Sequence, residues 1–379
     1  MDLTSLAVIV MVAFGVLGAD AVLHHDNVIV EVVAPPRNDK IQLDEDTLEL
    51  TFERQLRAIA STRSLVQPPE IIASRRQGIG MALAEAARLQ GVALALKTEL
   101  GYQSDRLRFV LYMQDNALRG LLSGRGRRTG PFETILTPND NEPLPDFVRR
   151  AATLGAAQLA PYTTALYLLQ LHWHDGKFGE VINLIDRAEA KLPPTPVNLE
   201  RSLYENLRGI VALFDNDAPR AKTILATALA ADPSNPVAVL NMAFAEVEVD
   251  DYQQAAERMR RLITEAPPAN EVLRATAYMT WASAEMGMHQ PTQADVLLAK
   301  AVELYPTSST AFDIWAEAKE MEGDKAAAAG LRYKALEATA DAFENYAEIA
   351  ALYFHLSWQP GELSVKPNPY ASPGISTYR

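Results

Sequence analysis

A chain of 379 residues, 48% hydrophobic and 22% charged, carries more apolar material than a single core takes up, so two folded domains with accessory segments are expected. Its formal net charge of -13 repels a phosphate backbone and argues against a nucleic-acid partner. The absence of cysteine excludes disulfides, thiol nucleophiles, cysteine-ligated zinc and lipid attached through cysteine.

Within residues 3–19 the only polar side chains are Thr4 and Ser5, and as a helix this run would extend about 26 Å, barely enough to cross a bilayer. Asp20 interrupts it before Ala21, Val22 and Leu23. It would have to sit near an interface, because a carboxylate at the membrane centre costs roughly 2.5 to 3.5 kcal/mol on insertion scales. Residues 1–27 therefore read as an export segment of one of two kinds. A single-pass anchor through residues 3–23 would leave the bulk of the chain periplasmic or otherwise outside the cytoplasm, in a bacterial envelope. Alternatively, Ala19-Asp20-Ala21 is a small-x-small signal-peptidase site, and cleavage after Ala21 would secrete the chain. The run has no Lys or Arg ahead of it and exceeds the roughly 7 to 15 residues of a signal-peptide core, which favours the anchor. A buried helix of a soluble fold is a third reading, against which the run lacks a polar face.

Residues 28–33 are β-branched apart from Glu31 and stop at Ala34-Pro35-Pro36, the pattern of a buried strand ended by a turn. Leu48, Phe52, Leu56 and Ile59 then recur at helical spacing within residues 43–61. Leu50 falls off that face, and Leu48, Leu50 and Phe52 also alternate as a strand would, which leaves the helix start open. After Pro68 and Pro69 a helical stretch over 80–89 ends at Gly91. Residues 92–98 and 107–113 flank 101–105 in the pattern of a hairpin, and 132–136 adds a strand. A helix over 144–159 carries Phe147, Ala151, Leu154, Ala157 and Leu159. The implied unit, residues 28–160, is a small α/β domain with a mostly antiparallel sheet and helices on one face. In element order it resembles the small α/β domains that precede tetratricopeptide arrays in some bacterial membrane-anchored proteins, and the N-terminal domain of the Tol-system propeller protein.

The strongest signal is internal periodicity. Asp232-Pro233 closes one predicted helix, and Pro267 follows 34 residues later at the same place in the pattern. Ala221 with Ala228, Ala255 with Leu262, Ala294 with Ala301, and Ala328 with Ala335 each set two small or apolar residues seven apart, on one helix face. The phrases ending at Pro233, Pro306 and Ala338 are near-copies. Five units fall in register: 162–195, 202–235, 236–269, 275–308 and 309–342, with six extra residues around Val197 and five around Asn270. The second helix of each begins near Phe178, Ala218, Tyr252, Pro291 and Lys325, after the turns Asp175-Gly176, Asn216-Asp217, Asp250-Asp251, His289-Gln290 and Gly323-Asp324.

This pattern resembles the tetratricopeptide repeat family, which implies an all-α solenoid over residues 161–356, each repeat two antiparallel helices, and a capping helix at 343–356. Ala218, Pro291 and Lys325 stand where a Tyr or Phe is usual in that family. The small residues have a physical origin, since close helix crossings need side chains no larger than alanine and Pro cannot continue a helix. Gly209 falls at such a crossing in the second unit. Beyond Trp358, residues 357–379 form a Pro-rich tail. The fold class is thus multidomain, a small α/β domain followed by an all-α tetratricopeptide solenoid.

No catalytic constellation, metal site or cofactor is expected. His172 and His174 lie two apart and would point to different faces of a helix, whereas helical metal pairs use spacings of three or four. Residues 123–128, with Arg125, Arg127 and Arg128, read as a solvated basic loop, and Gly78-Ile79-Gly80 lacks the third glycine of a dinucleotide loop. The resemblance instead places function on the inner face of the first helices. That face carries Leu166, Gln170 and Trp173, then Asn206, Ile210 and Leu213, then Leu240, Phe244 and Val247, then Met279, Ser283 and Met286. The class of the family that clamps a C-terminal carboxylate uses Lys, Asn and Arg there, and this sequence does not match it. Burying each large apolar side chain is worth roughly 1.5 to 3 kcal/mol, so something should cover them. The cover is either a partner's helix or apolar peptide, or the chain itself: its N-terminal domain, a neighbouring helix or the Pro-rich tail. A non-catalytic, membrane-anchored scaffold that binds another protein is the first functional expectation. A ligand-binding or enzymatic α/β domain regulated by the repeats is the second.

Overall fold

A computed structural model describes residues 27–34, 43–66, 72–73, 105–126, 128–173, 175–195, 198–338, 348–350, 354–355 and 366–367. The chain divides into two units. One takes in residues up to Thr62 together with Pro69–Thr164, and the other takes in Arg63–Pro68 together with everything from Ala165 onward.

The first unit contains strand β1 (Asn27–Val33), helix α1 (Glu45–Ala60), strands β2 (Ile72–Ala73), β3 (Asp105–Gln114), β4 (Ala117–Arg125) and β5 (Phe132–Leu136), and helix α2 (Leu144–Leu159). The sheet runs β2-β1-β3-β4-β5. It is mixed where the sequence suggested mostly antiparallel pairing: β1 lies parallel to both β2 and β3, and only β3-β4-β5 is antiparallel. The hairpin partner of β3 is β4, a strand the sequence reading left unassigned; the residues expected to form that arm, 92–98, lie outside the described residues, as does the helix expected at 80–89. Asp115 and Asn116, at φ of 50° and 62°, supply the two left-handed positions that a two-residue hairpin turn needs.

Alternation then builds the core of this unit. Val28, Val30 and Val32 of β1 and Leu107, Phe109 and Leu111 of β3 are buried, while Ile29 is 40% exposed, so β1 is covered on one face only. Leu48, Phe52, Leu56 and Ile59 of α1 are fully buried, and Asp44 caps the helix by accepting from the Thr47 N–H. Phe52 stacks on Phe109 at 6.1 Å and Phe147 of α2 meets Phe109 edge-on at 5.6 Å. The expected basic loop is largely strand. Ser123, Gly124 and Arg125 belong to β4, and Arg128 is drawn in to the buried Asp105, its Nε 2.6 Å from Oδ2.

From Pro161 to Glu337 the described chain is a succession of helices: α3 (Pro161–His172), α4 (Gly179–Glu189), α5 (Leu199–Phe214), α6 (Ala218–Ala231), α7 (Pro236–Glu248), α8 (Tyr252–Glu265), α9 (Glu271–Gly287), α10 (Pro291–Leu304), α11 (Ser309–Met321) and α12 (Lys325–Glu337). The second helices start at Gly179, Ala218, Tyr252, Pro291 and Lys325, within one residue of the positions read from the periodicity. Each is preceded by a residue at positive φ: Gly176, Asn216, Asp250, His289 and Gly323. That left-handed residue ends the first helix and turns the chain back, which is why Gly and Asn recur there. Side-chain caps open the helices, with Asn198, Asp217, Asn235, Asn270, Ser308 and Asp324 each accepting from the first turn.

Helices α5 with α6, α7 with α8, α9 with α10 and α11 with α12 pack as helical hairpins, and the first helices α5, α7, α9 and α11 also touch in succession. All four pairs of small or apolar residues spaced seven apart are buried in these contacts. Of the expected capping helix, residues 348–350 form a turn and Phe354–His355 pairs antiparallel with Lys366–Pro367 as a short ladder; the remainder lies outside the described residues.

The membrane-anchored and extracytoplasmic placement is corrected. Among the described residues no helix is long and apolar enough to cross a membrane. Residues 3–23, on which that expectation and the cleavage reading rested, lie outside the described residues.

Two predictions test the packing of the repeat unit. A Cβ on Gly209 would lie 2.6 Å from Leu225 Cγ across the α5/α6 crossing. Gly209→Leu should therefore destabilise by roughly 1 to 3 kcal/mol or more through overpacking, read as a lower urea midpoint; an unchanged midpoint would contradict the crossing. The second concerns Glu248 at the end of α7, where one carboxylate oxygen is buried without a hydrogen-bond partner. Burial, with the Asp250 charge second, pushes its pKa from 4.5 up to about 7. A folded-state value raised above the unfolded one gives stability that is full below the unfolded pKa and is lost as pH rises through the folded one. Glu248→Gln should thus melt close to wild type near pH 4.5 and progressively above it toward pH 8. A mutant-to-wild-type difference that does not vary with pH would refute this.

Candidate functional site

Of the residues expected on the inner face, Leu166, Asn206, Ile210, Leu213, Leu240, Phe244, Val247, Met279 and Met286 are buried, as is Ser283, while Trp173 and Gln170 are half-buried. Helix α7 is the extreme case, with every residue from Leu240 to Val247 buried. In the middle of this apolar surface sit two carboxamides, Asn206 on α5 and Asn241 on α7, both fully buried.

They face each other: Asn241 Nδ2 donates to Asn206 Oδ1 at 2.8 Å. Both also donate to the main-chain oxygen of Glu348, Asn206 Nδ2 at 3.2 Å and Asn241 Nδ2 at 2.8 Å. Asn241 Oδ1 in turn accepts from the Ala350 N–H at 2.8 Å. One side chain thus holds a backbone carbonyl and a backbone N–H two residues apart. Glu348, Ile349 and Ala350 are all fully buried. Residues 348–350 of the same chain thus lie against Asn206 and Asn241.

A third piece of chain completes the arrangement. The Glu348 carboxylate accepts from the Leu65 backbone N–H and, at 3.1 Å, from the Ser64 hydroxyl. Ser64 Oγ itself accepts from the Val66 N–H at 3.1 Å, which aims its proton at the carboxylate.

The surrounding helices are tied so that the two amides stay in register. Asn235, which caps α7 through its carboxamide oxygen, donates from Nδ2 to Ser202 of α5 at 2.9 Å. Glu246 of α7, 1% exposed, forms a bidentate pair with Arg258 of α8 at 2.6 and 2.9 Å. Farther along, Thr280 of α9 and Thr310 of α11 are buried with hydroxyls that meet no hydrogen-bond partner among the described residues.

The sequence reading named Asn206 but took Leu240 in place of its neighbour Asn241, and it did not find Glu348, Ala350, Ser64 or Leu65. One signal for Asn241 was available. It is the lone carboxamide inside the apolar stretch of α7, and a buried polar group of that kind requires a partner. His172, weighed above as a metal ligand, instead places Nδ1 3.2 Å from Asp175 Oδ1 at the end of α3.

No family model and no curated protein matches the chain. Among solved structures it is similar to MamA residues 41 to the end from Desulfovibrio magneticus RS-1, at 18% identity over 47% of this chain and 94% of that one, with a TM-score of 0.36. It is similar also to pilF from Pseudomonas aeruginosa, at 15% identity over 48% and 80% with a TM-score of 0.39. A further MamA crystal structure gives 22% identity over 44% and 91%, with a TM-score of 0.34. Likenesses with TM-scores this low leave the site to be read from its own geometry.

Proposed function

We propose that the helical-repeat unit is a non-catalytic, tetratricopeptide-type scaffold that binds a partner protein by holding a short stretch of its backbone along the inner face of α5 and α7. The observation that carries this is the Asn241 carboxamide spanning a carbonyl and an N–H two residues apart, with Asn206 bonded to the same carbonyl. Amide-to-backbone pairing is indifferent to the segment's sequence and supplies affinity, while neighbouring side chains select. Ile210 lies about one helical turn beyond Asn206, and Phe244 about one turn beyond Asn241, which supports an apolar wall beside the amides. The hydroxyls of Thr280 and Thr310, unpartnered among the described residues, are further polar capacity on the next first helices.

Two expected outcomes test the reading. Asn241→Ala removes three hydrogen bonds and leaves the Ala350 N–H without its acceptor, at a cost of about 1 to 3 kcal/mol. Amide exchange at Ala350 should then accelerate more than exchange within α8; equal acceleration would mean that the clamp does not hold this segment. For partner binding, peptides selected on the full chain from a displayed random library should lose at least about tenfold in affinity on Asn206→Ala plus Asn241→Ala, with helical content kept. Selected peptides indifferent to both substitutions would overturn the assignment of the groove.

A further inference from the structure

The segment now seated on α5 and α7 carries information about what the groove takes. Its contacts are a main-chain oxygen at Glu348, a main-chain N–H at Ala350, and the Glu348 carboxylate, which meets Leu65 N–H and Ser64 Oγ. Between them Ile349 is fully buried and Ala350 leaves no exposed surface. The backbone is thus received by Asn206 and Asn241, and the carboxyl group by residues 64–65. The Ser64 hydroxyl is oriented for this task by the Val66 N–H.

Resting on the groove reading above, we infer that residues 348–350 are an internal competitor, and that the partner segment displacing them has the same chemistry: a carboxylate read by Ser64 and Leu65, a β-branched aliphatic residue, then a small residue.

Several features of the segment favour exchange over permanent filling. The occupant reaches its clamps from 142 and 107 residues away in sequence, and among the described residues hydrogen bonds hold it to them. Its attachment to the same chain gives it an effective concentration on the order of millimolar. A partner's apparent affinity is therefore reduced by the fraction of molecules whose groove is open, and weakening the internal segment removes that reduction. The carboxyl group matters because two donors converge on it, Ser64 Oγ and the Leu65 N–H. It is also the one contact of the three that distinguishes this segment from any other backbone.

The test uses the full chain and a fluorescein-labelled peptide with the sequence of residues 345–353, titrated by anisotropy. Glu348→Ala with Ala350→Pro, which removes the carboxylate and the clamped N–H from the internal copy, should bind the peptide at least tenfold more tightly than wild type. In that background a peptide with Gln in place of the glutamate should bind about tenfold more weakly. The discrimination should vanish when Ser64→Ala and Leu65→Pro are added. Equal affinity of wild type and the Glu348→Ala, Ala350→Pro chain would overturn the internal competition while Asn241-dependent binding kept the groove reading intact. Equal affinity for the Glu and Gln peptides would overturn the role of Ser64 and Leu65. Binding that persists after Asn241→Ala would overturn the groove reading itself. Should the double substitution lose helical content, Glu348→Gln alone preserves shape and carries the same comparison.

Discussion

A carboxamide enclosed by apolar side chains must find partners for both its donor and its acceptor, and the inner face of the repeat unit is organised around that requirement at Asn206 and Asn241. Each unmet group would forfeit about 1 to 3 kcal/mol, a large fraction of the stability of a domain. Pairing the two amides with each other satisfies only one donor and one acceptor. The rest must come from a third element that presents a carbonyl and an N–H on one edge, and residues 348–350 do so. The apolar residues around the amides make the requirement strict, because no water-exposed route is left for the carboxamides once Leu240, Phe244 and Val247 are buried.

Repeat architectures confine each unit's contacts to its neighbours, so the alignment of distant inner residues depends on how faithfully each step is transmitted. Here the steps are made by polar side chains at helix starts and by charges between helices. Asn235 both caps α7 and reaches back to Ser202, and Lys222 of α6 pairs with Asp251 at the start of α8. Asp295 of α10 receives Trp315 Nε1 at 2.6 Å and Lys319 Nζ at 2.5 Å from α11, which holds its carboxyl below the usual range despite burial that opposes the shift. Partly exposed pairs of this kind contribute little to overall stability. Their geometric effect is larger, since they fix the rotation of one hairpin on the next and so keep side chains on α5 and α7 at hydrogen-bond distance.

Much of this fold was legible in the sequence, and the reasons differ by element. The helix starts at Ala218, Tyr252, Pro291 and Lys325 follow from turn residues and from small residues seven apart, both local signals that tertiary context did not override. Helices α1 and α2 were legible for the same reason, because Leu48, Phe52, Leu56 and Ile59 can share a buried face only on a helix. Strand β4 was not, since Ala117–Arg125 contains two glycines and two arginines and its pairing is set by β3 rather than by its own propensity. The Asp115-Asn116 turn was the missed signal. The occupant of the groove was the least legible feature of all. Residues 348–350 lie more than a hundred positions from Asn206 and Asn241, and contacts at that separation leave no periodicity to read.

An apolar inner face constrains function even before any partner is considered. Left bare, a surface containing Phe244, Ile210 and Leu213 would be an aggregation liability, so the folded chain must present the groove filled. A groove that is always filled cannot gain much apolar burial when a partner arrives, because one segment leaves as another enters. The net free energy of binding is then a difference between two occupants of similar kind, and small distinctions between them decide the outcome. Among the contacts seen, the carboxylate held by Ser64 and Leu65 is the one that most segments of a protein lack, and the amide clamps are the ones that every segment can satisfy. On the proposed reading, selectivity would reside in residues 64–65 more than in the helices beneath them.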